Sequence, residues 1–342
     1  MKRHLTFARS LIPLFYTALL VGAPLLAGKV DCLFSQSTSS IAQASTVNQF
    51  HYQQLVDRKF QLRLNLATGS GTAFDPSSGF TYEVKNWQIV GGQTTVLGKT
   101  VKFYTVKPLN FQQPTIFITH GYIVSGGSNI AVAKLYAQRY PNYNVIVMDW
   151  GSLSKDGMIP VISNGFINKE YKDAADASIA VGKKMGQLIL GLRLNPNQVT
   201  LLGHSLGARA SQFAAETVRQ QWQNQRQIQL LILLDPAGPG FQPRLWDWIA
   251  GGWRIRQVPK DRQATKTIVI HTSDRWGDER LLGNIDVYIR KPTRTPAFQI
   301  DDHTYANQYW RELVSSGQDQ ILINSTAQQP VRMPHMTRIV YR

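Results

Sequence analysis

The chain has 342 residues, 43% hydrophobic, 10% aromatic and 17% charged, enough apolar content for a full core and so not a disordered polymer. Its 37 Lys and Arg against 21 Asp and Glu give a formal charge of +16, a balance that points toward nucleic acid, an anionic membrane surface or another acidic polymer. The single cysteine, Cys32, excludes an internal disulfide framework and a cysteine-built zinc site.

At the start of the chain Lys2, Arg3 and Arg9 surround an approach to an uncharged, mostly apolar run over residues 11–27. A serine-rich stretch then ends in Ala42-Gln43-Ala44. A basic start, an apolar run and small residues flanking a cut read as an export signal. The apolar run has 17 residues, the lower edge of what spans a bilayer, so an uncleaved anchor is the rival reading. Lys29-Val30-Asp31 precede Cys32 where a lipidated cysteine needs small apolar residues, which argues against a lipoprotein. A cut after Ala44 removes Lys2, Arg3, Arg9, Lys29 and Asp31 and leaves +13 on one domain over residues 45–342.

Residues 50–110 carry short runs set off by glycines, such as 60–66 and 101–106, which read as antiparallel strands at the starting edge of a sheet. From residue 115 the pattern changes. Apolar, β-branched runs at 115–119, 144–148, 199–202, 230–234 and 267–270 are short and continuous, as strands covered on both faces must be. Between them, residues 130–140, 171–192 and 206–225 are long enough for helices. Strands alternating with such helices predict an α/β fold, a mostly parallel sheet with helices on both faces.

The chemistry centres on Gly203-His204-Ser205-Leu206-Gly207, between the strand 199–202 and the helix that follows. This is a G-x-S-x-G nucleophile elbow in its required context, in which only small residues fit beside a sharply turned serine. The helix beneath offers free N–H groups and a positive dipole end to a developing oxyanion. Serine needs a base and a group that orients the base. Asp235 ends the next strand, L-L-I-L-L-D-P-A, where open α/β sheets place their sites; its bland alternative is a cap on the following turn. After Asp235 the chain holds three histidines. His271 closes a strand, a position more often structural, and His335 lies in the basic tail. His303 follows the loop 291–302 and precedes a helix-like run over 305–313, where this architecture delivers its base, and is the chosen candidate. Phe117-Ile118-Thr119-His120-Gly121-Tyr122 then supplies the second oxyanion donor, so the backbone N–H groups of Tyr122 and Leu206 form the expected pair, while His120 has the bland alternative of holding the loop. The reaction so drawn needs no metal or organic cofactor.

G-H-S-L-G-A at 203–208 and L-D-P-A-G-P-G-F at 234–241 resemble the nucleophile and acid segments of the pancreatic lipase family. I-H-T-S…G-N-I-D-V-Y at 270–288, F-I-T-H-G-Y at 117–122 and N-V-I-V-M-D-W at 144–150 resemble further segments of it, as do Tyr171, Ala174 and Val181-Gly182 in the helix before the elbow. The resemblance runs in order over 115–313. It implies an α/β-hydrolase fold, hydrolysis of lipid esters, and nucleophile, acid and base roles for Ser205, Asp235 and His303.

The departures carry expectations of their own. With the chain ending at Arg342, the resemblance leaves no room for the family's C-terminal β-sandwich and so no colipase-type partner. The family's calcium carboxylates would fall near residues 257–262, where Asp261 alone is acidic between Lys260 and Arg262, which counts against a calcium site. The family's lid would be confined to residues 289–302. Short lids go with phospholipase A1-like behaviour in this family, by analogy only. Trp246, Trp248 and Trp253 beside Arg244, Arg254 and Arg256 fit either a lipid-headgroup surface or a helix packing its tryptophans inward. The positive charge fits attraction to an anionic lipid surface; export and the absence of a recognition motif argue against nucleic acid. The rival functions are a general carboxylesterase without interfacial preference and a catalytically silent lipid-binding protein on the same fold.

Overall fold

The computed structural model describes residues 35–122, 126–154, 169–241, 255–259, 263–273, 276–292 and 300–342. The export segment with Cys32, the tryptophan-rich stretch through Trp246, Trp248 and Trp253, the acidic residue Asp261 and the middle of the expected lid lie outside them. The chain divides into two compact units, Met1–Ser45 and Thr46–Arg342. In the first, the described residues 35–45 are helical. Everything that follows concerns the second.

The second unit begins within α1 (Ser35–Asp57), whose Leu55 is buried. Five strands follow in an antiparallel meander: β1 (Gln61–Asn65), β2 (Ser70–Asp75), β3 (Phe80–Lys85), β4 (Gln88–Val96) and β5 (Lys99–Thr105). In β3 and β4 buried residues alternate with exposed or half-exposed ones, the mark of a sheet packed on one face only. The antiparallel strands expected over residues 50–110 are this meander, with the runs 60–66 and 101–106 falling on β1 and β5.

The chain then switches to β6 (Thr115–Thr119), α2 (Gly126–Arg139), β7 (Asn144–Asp149), the short α3 (Gly151–Ser154) and α4 (Lys169–Gly191). After these come β8 (Val199–His204), α5 (Leu206–Gln221), β9 (Ile228–Leu234), β10 (Ala264–His271) and β11 (Ile285–Ile289). Last are α6 (Ile300–Ser316), α7 (Gln318–Asn324) and β12 (Met336–Tyr341). All 12 strands among the described residues join one sheet in the order β1-β2-β3-β4-β5-β7-β6-β8-β9-β10-β11-β12. The run from β7 to β11 is parallel, and β12 closes the far edge antiparallel to β11. This is the α/β-hydrolase arrangement.

Strand side chains alternate between two cores. Phe117, Leu201, Leu231, Leu233 and Val269 face one core with α4 and α5; Ile116, Ile118, Leu202, Ile232 and Ile270 face another with α2 and α6. The helices α4 and α5 approach closely because glycine lets them. A Cβ on Gly182 would lie 2.4 Å from the Ala210 carbonyl oxygen, and one on Gly186 would lie 2.7 Å from the Thr217 Cβ. That contact seats α5, and with it Ser205, against the sheet.

The register sets one row across the carboxyl ends. Thr119 pairs with Gly203, His204 with Leu234, and Leu234 with Ile270. The next N–H groups extend the ladder, with Ser205 donating to Leu234 O at 3.0 Å and Asp235 to Ile270 O at 2.7 Å.

Candidate active site

Ser205 sits between β8 and α5 at φ 57° and ψ −124°, a conformation that costs a non-glycine residue about 1–3 kcal/mol and persists only where its surroundings enforce it. The enforcement is steric. A Cβ on Gly203 would lie 2.3 Å from the Gly207 carbonyl oxygen, and one on Gly207 would lie 2.3 Å from the His120 carbonyl oxygen. Glycines are therefore required on both sides of the serine. Gly121 closes from the other side, its Cβ position 2.8 Å from the Ser205 Cβ. Tyr122, next in the chain, packs edge-on against Tyr171 at 5.5 Å between ring centroids.

The three triad candidates meet in one line. The Ser205 hydroxyl donates to His303 Nε2 at 2.7 Å, and His303 Nδ1–H donates to Asp235 Oδ2 at 2.6 Å. All three are buried, Asp235 completely. Burial pushes the Asp235 carboxyl up; the hydrogen bond and charge of His303, the Ser273 hydroxyl and the Thr272 N–H outweigh it and hold the group below the ordinary carboxylate range. Thr272 N–H reaches Asp235 Oδ1 at 2.8 Å and the Ser273 hydroxyl reaches Oδ2 at 2.5 Å, while Ser273 Oγ accepts from Gly277 N–H at 2.8 Å. With every lone-pair direction engaged, the carboxylate is fixed as an acceptor toward the imidazole.

His303 belongs to the first turn of α6, not to a loop ahead of it as the sequence indicated, and α7 follows. The carboxylate Asp302 in that turn is favoured beside the positive end of the helix, so the helix starts earlier than the apolar pattern does. His271 ends β10 as expected and is committed elsewhere: its Nε2 lies 2.9 Å from Asp286 Oδ1 and its ring stacks on Tyr288. His335 is exposed.

A family model described as Lipase matches residues 94–300. The chain belongs to the pancreatic lipase family. As a family member it is a carboxylic ester hydrolase of the α/β-hydrolase fold. Phospholipase A1 of Vespula maculifrons is 27% identical to it over 219 residues, covering 61% of this chain and 68% of that protein. Lipoprotein lipase of Sus scrofa is 29% identical over 202 residues, covering 56% of this chain and 37% of that protein. The solved esterase Est22 aligns at 14% identity with a TM-score of 0.40, covering 82% of this chain and 87% of that one.

Around the triad, the elbow residue His204 and the loop residue His120 each hold backbone in place. His204 Nε2–H donates to the His303 carbonyl at 2.9 Å, so the residue before Ser205 anchors the backbone of the histidine beside it. Burial, then the neighbouring His303, drive the His204 pKa down to about 3 and keep the ring neutral. His120 donates from Nδ1–H to Gly121 O at 2.9 Å and accepts the Trp150 N–H at 3.1 Å, while its ring stacks on Trp150. That arrangement ties the ends of β6 and β7 together.

The segment after Asp235 is held by a buried ion network. Arg209 donates twice to Ala237 O, at 2.9 and 2.6 Å, once to Gln212 Oε1 at 2.9 Å and once to Asp278 Oδ2 at 2.5 Å. Arg280 adds a bond to Asp278 Oδ1 at 2.8 Å. Burial raises the Asp278 carboxyl, yet the two guanidinium groups bring it down to about 2. Ala237 N–H in turn donates to Ser205 O at 3.2 Å, so the network reaches the nucleophile's own carbonyl.

Among the described residues near the family's calcium position, Gln257 Oε1 and Phe241 O accept from Arg280 at 2.6 and 2.7 Å. Arg256 pairs with Glu216 beside them, with Nη1 at 2.7 Å from Oε1. Among the described residues no group of three His, Cys, Asp or Glu side chains is placed to hold a metal. Neither is any described helix long and apolar enough to cross a membrane.

Proposed function

We propose that this protein hydrolyses the acyl esters of membrane lipids through an acyl-enzyme on Ser205, in the manner of a phospholipase A1. The observation that carries the reading is the continuous chain Ser205–His303–Asp235, with links of 2.7 and 2.6 Å. His303 Nε2 takes the serine proton as Oγ attacks the ester carbonyl, and Asp235 stabilises the imidazolium through Nδ1–H. The oxyanion develops beside the start of α5 and is held by the N–H groups of Leu206 and Tyr122; one such donor is worth about 2.7–4 kcal/mol in the transition state. His303 then returns the proton to the leaving alcohol, and a water repeats the sequence to release the fatty acid. No residue of this chain requires a metal for any of these steps.

Phospholipid is favoured over triacylglycerol by the short span available to a lid between Tyr288 and His303 and by the wasp phospholipase A1 likeness. The triacylglycerol reading rests on the likeness to lipoprotein lipase. The formal charge of +16 supports work at an anionic lipid surface, and the basic, apolar start of the chain supports export.

The test combines a fluorophosphonate probe with fatty-acid release from phosphatidylglycerol, galactolipid and triolein vesicles or emulsions. Labelling at Ser205, faster release from phosphatidylglycerol, and loss of both in a folded Ser205→Ala variant are expected. Undiminished hydrolysis by Ser205→Ala would overturn the triad, absence of labelling would favour a lipid-binding protein, and equal rates on soluble esters would favour a general carboxylesterase.

A further inference from the structure

The donors around the Asp235 carboxylate divide unevenly between its two oxygens. Oδ1 accepts from backbone alone, the N–H groups of Thr272 at 2.8 Å and Ser273 at 3.2 Å. Oδ2 accepts from two side chains, His303 Nδ1–H at 2.6 Å and the Ser273 hydroxyl at 2.5 Å. The base and a buried serine therefore share one carboxylate oxygen, and only the base changes its protonation during the reaction.

The hydroxyl is aimed, not merely near. Gly277 N–H donates to Ser273 Oγ at 2.8 Å, so a lone pair of the hydroxyl is taken and its one proton points to Oδ2. A hydroxyl that accepts one hydrogen bond is polarised as the donor of the next. Both ends of the segment are anchored. His271, two residues before, is held by Asp286 at 2.9 Å, and its ring lies on Tyr288 with 4.4 Å between centroids. After it, Gly238 N–H bonds Trp276 O at 2.7 Å and Asp278 N–H bonds Pro236 O at 2.8 Å. Gly277 presses so close that a Cβ there would lie 2.5 Å from Asp235 Oδ1.

Two donors on one oxygen divide its charge. The Ser273 proton draws on lone pairs that would otherwise face the imidazole alone, so the negative charge offered to a protonated ring is weakened. We propose that Ser273 is a positioning residue of the triad, whose hydroxyl sets the rotation of the Asp235 carboxylate and the pH at which His303 becomes a free base; this rests on the triad reading given above. The other titratable groups packed around this centre are identifiable. His204 on the elbow has its ring centroid 4.8 Å from that of His303 and stays neutral down to about 3. Asp302 adjoins His303 in α6, His271 and Asp286 lie at the ends of β10 and β11, and Arg209, Asp278 and Arg280 lie behind Ala237. Among the described residues, none of these side chains bonds the Ser273 hydroxyl, so substitution there leaves their charges and contacts in place.

The pH dependence of kcat/KM tests it on the full chain, with p-nitrophenyl acetate followed at the isosbestic wavelength of the product and Ser273→Ala, Ser273→Cys and Ser273→Thr compared with wild type. The acid limb of that profile reports the base of the free enzyme. Without the hydroxyl, Oδ2 faces the imidazole with its charge undivided and the protonated ring is held more firmly. The acid limb should therefore move to higher pH in Ser273→Ala, by about half a pH unit, a roughly threefold change in the protonation equilibrium. The optimum kcat should fall about fivefold as the carboxylate loses its orientation, with KM unchanged because Ser273 is not placed against substrate. Ser273→Thr restores a hydroxyl and should return the limb to its wild-type position. Ser273→Cys keeps the volume but offers only a weak donor, and carries the comparison if Ser273→Ala does not fold. A limb within about 0.1 pH unit of wild type in a folded Ser273→Ala or Ser273→Cys, or one moved to lower pH, overturns the proposal whatever happens to kcat. Fluorophosphonate labelling separates the two readings. Wild-type turnover without labelling at Ser205 removes the triad and this role with it, whereas a labelled wild type with an unmoved limb removes the role of Ser273 alone.

Discussion

Replacing Arg209 by Met keeps the length of the side chain and removes its charge and every N–H. Two donations to Ala237 O, one to Gln212 and one to Asp278 are lost together. Breaking a buried ion pair from one side costs about 3–5 kcal/mol, because the partner stays buried and unpaired. Here Asp278 keeps Arg280, whose bond to Oδ1 is 2.8 Å, so the lower end applies, about 3 kcal/mol, with the Ala237 carbonyl as the chief orphan. At about 2.1 cal/mol/K per residue over a unit of about 300 residues, the unfolding entropy is about 0.6 kcal/mol/K, and the melting temperature should fall by about 5 °C. Arg209→Lys should fall between wild type and Met, since an ammonium satisfies Asp278 but not the forked contact with Ala237. Because Ala237 also bonds Ser205 O at 3.2 Å, kcat on a short ester at 25 °C should drop by about tenfold while the variant is still folded. Circular dichroism melts and initial rates check both parts. A melting temperature within about 1 °C of wild type would show that the network is not what holds the acid segment.

His204→Phe keeps the buried ring and removes the donor to the His303 carbonyl; kcat should fall by about tenfold with KM little changed. The same variant tests a pH effect. The unfolded His204 takes a proton below its ordinary value of 6.5 and the folded one does not until about 3, so unfolding binds a proton in that window and stability falls as pH drops through it, by about 1.4 kcal/mol per unit. Urea melts at pH 6.5, 5.5 and 4.5 should show that slope in wild type and lack it in His204→Phe; equal slopes would contradict the assignment. Gly207→Ala would place a Cβ 2.3 Å from His120 O and 2.4 Å from Thr119 O, backbone atoms that cannot step aside. More than about 4 kcal/mol of stability should be lost, and a soluble variant with a wild-type melt would refute the steric account of the elbow.

The legible parts of the fold were those whose burial is symmetrical. Strands covered on both faces, such as Thr115–Thr119, are unbroken apolar runs and fell where the sequence put them. β11 escaped notice because Asp286 interrupts it; that carboxylate accepts from Leu282 N–H at 2.9 Å and Gly283 N–H at 3.1 Å and is satisfied inside the sheet. β12 escaped because it is an edge strand with Arg338 in it, and charge on an edge reads as a tail. In the site, Ser205, Asp235 and His303 were readable because each stands at a boundary between an apolar strand or a loop and the next element. Ser273 and Arg209 were not, and His204 was named only as part of the elbow, since their contacts are made across 38, 69 and 99 residues of chain, which no local pattern encodes.

Ser205 and Asp235 are each fixed by the next rung of a ladder that already joins β8, β9 and β10. Side chains on a strand change face with every residue, so a slip of β9 by one position would leave the chain compact and well bonded while turning Asp235 away from His303. Active-site titre per mole of folded protein is thus a count of correctly registered molecules, and a preparation that is folded by spectroscopy but titrates at half its concentration would be reporting on its strand alignment.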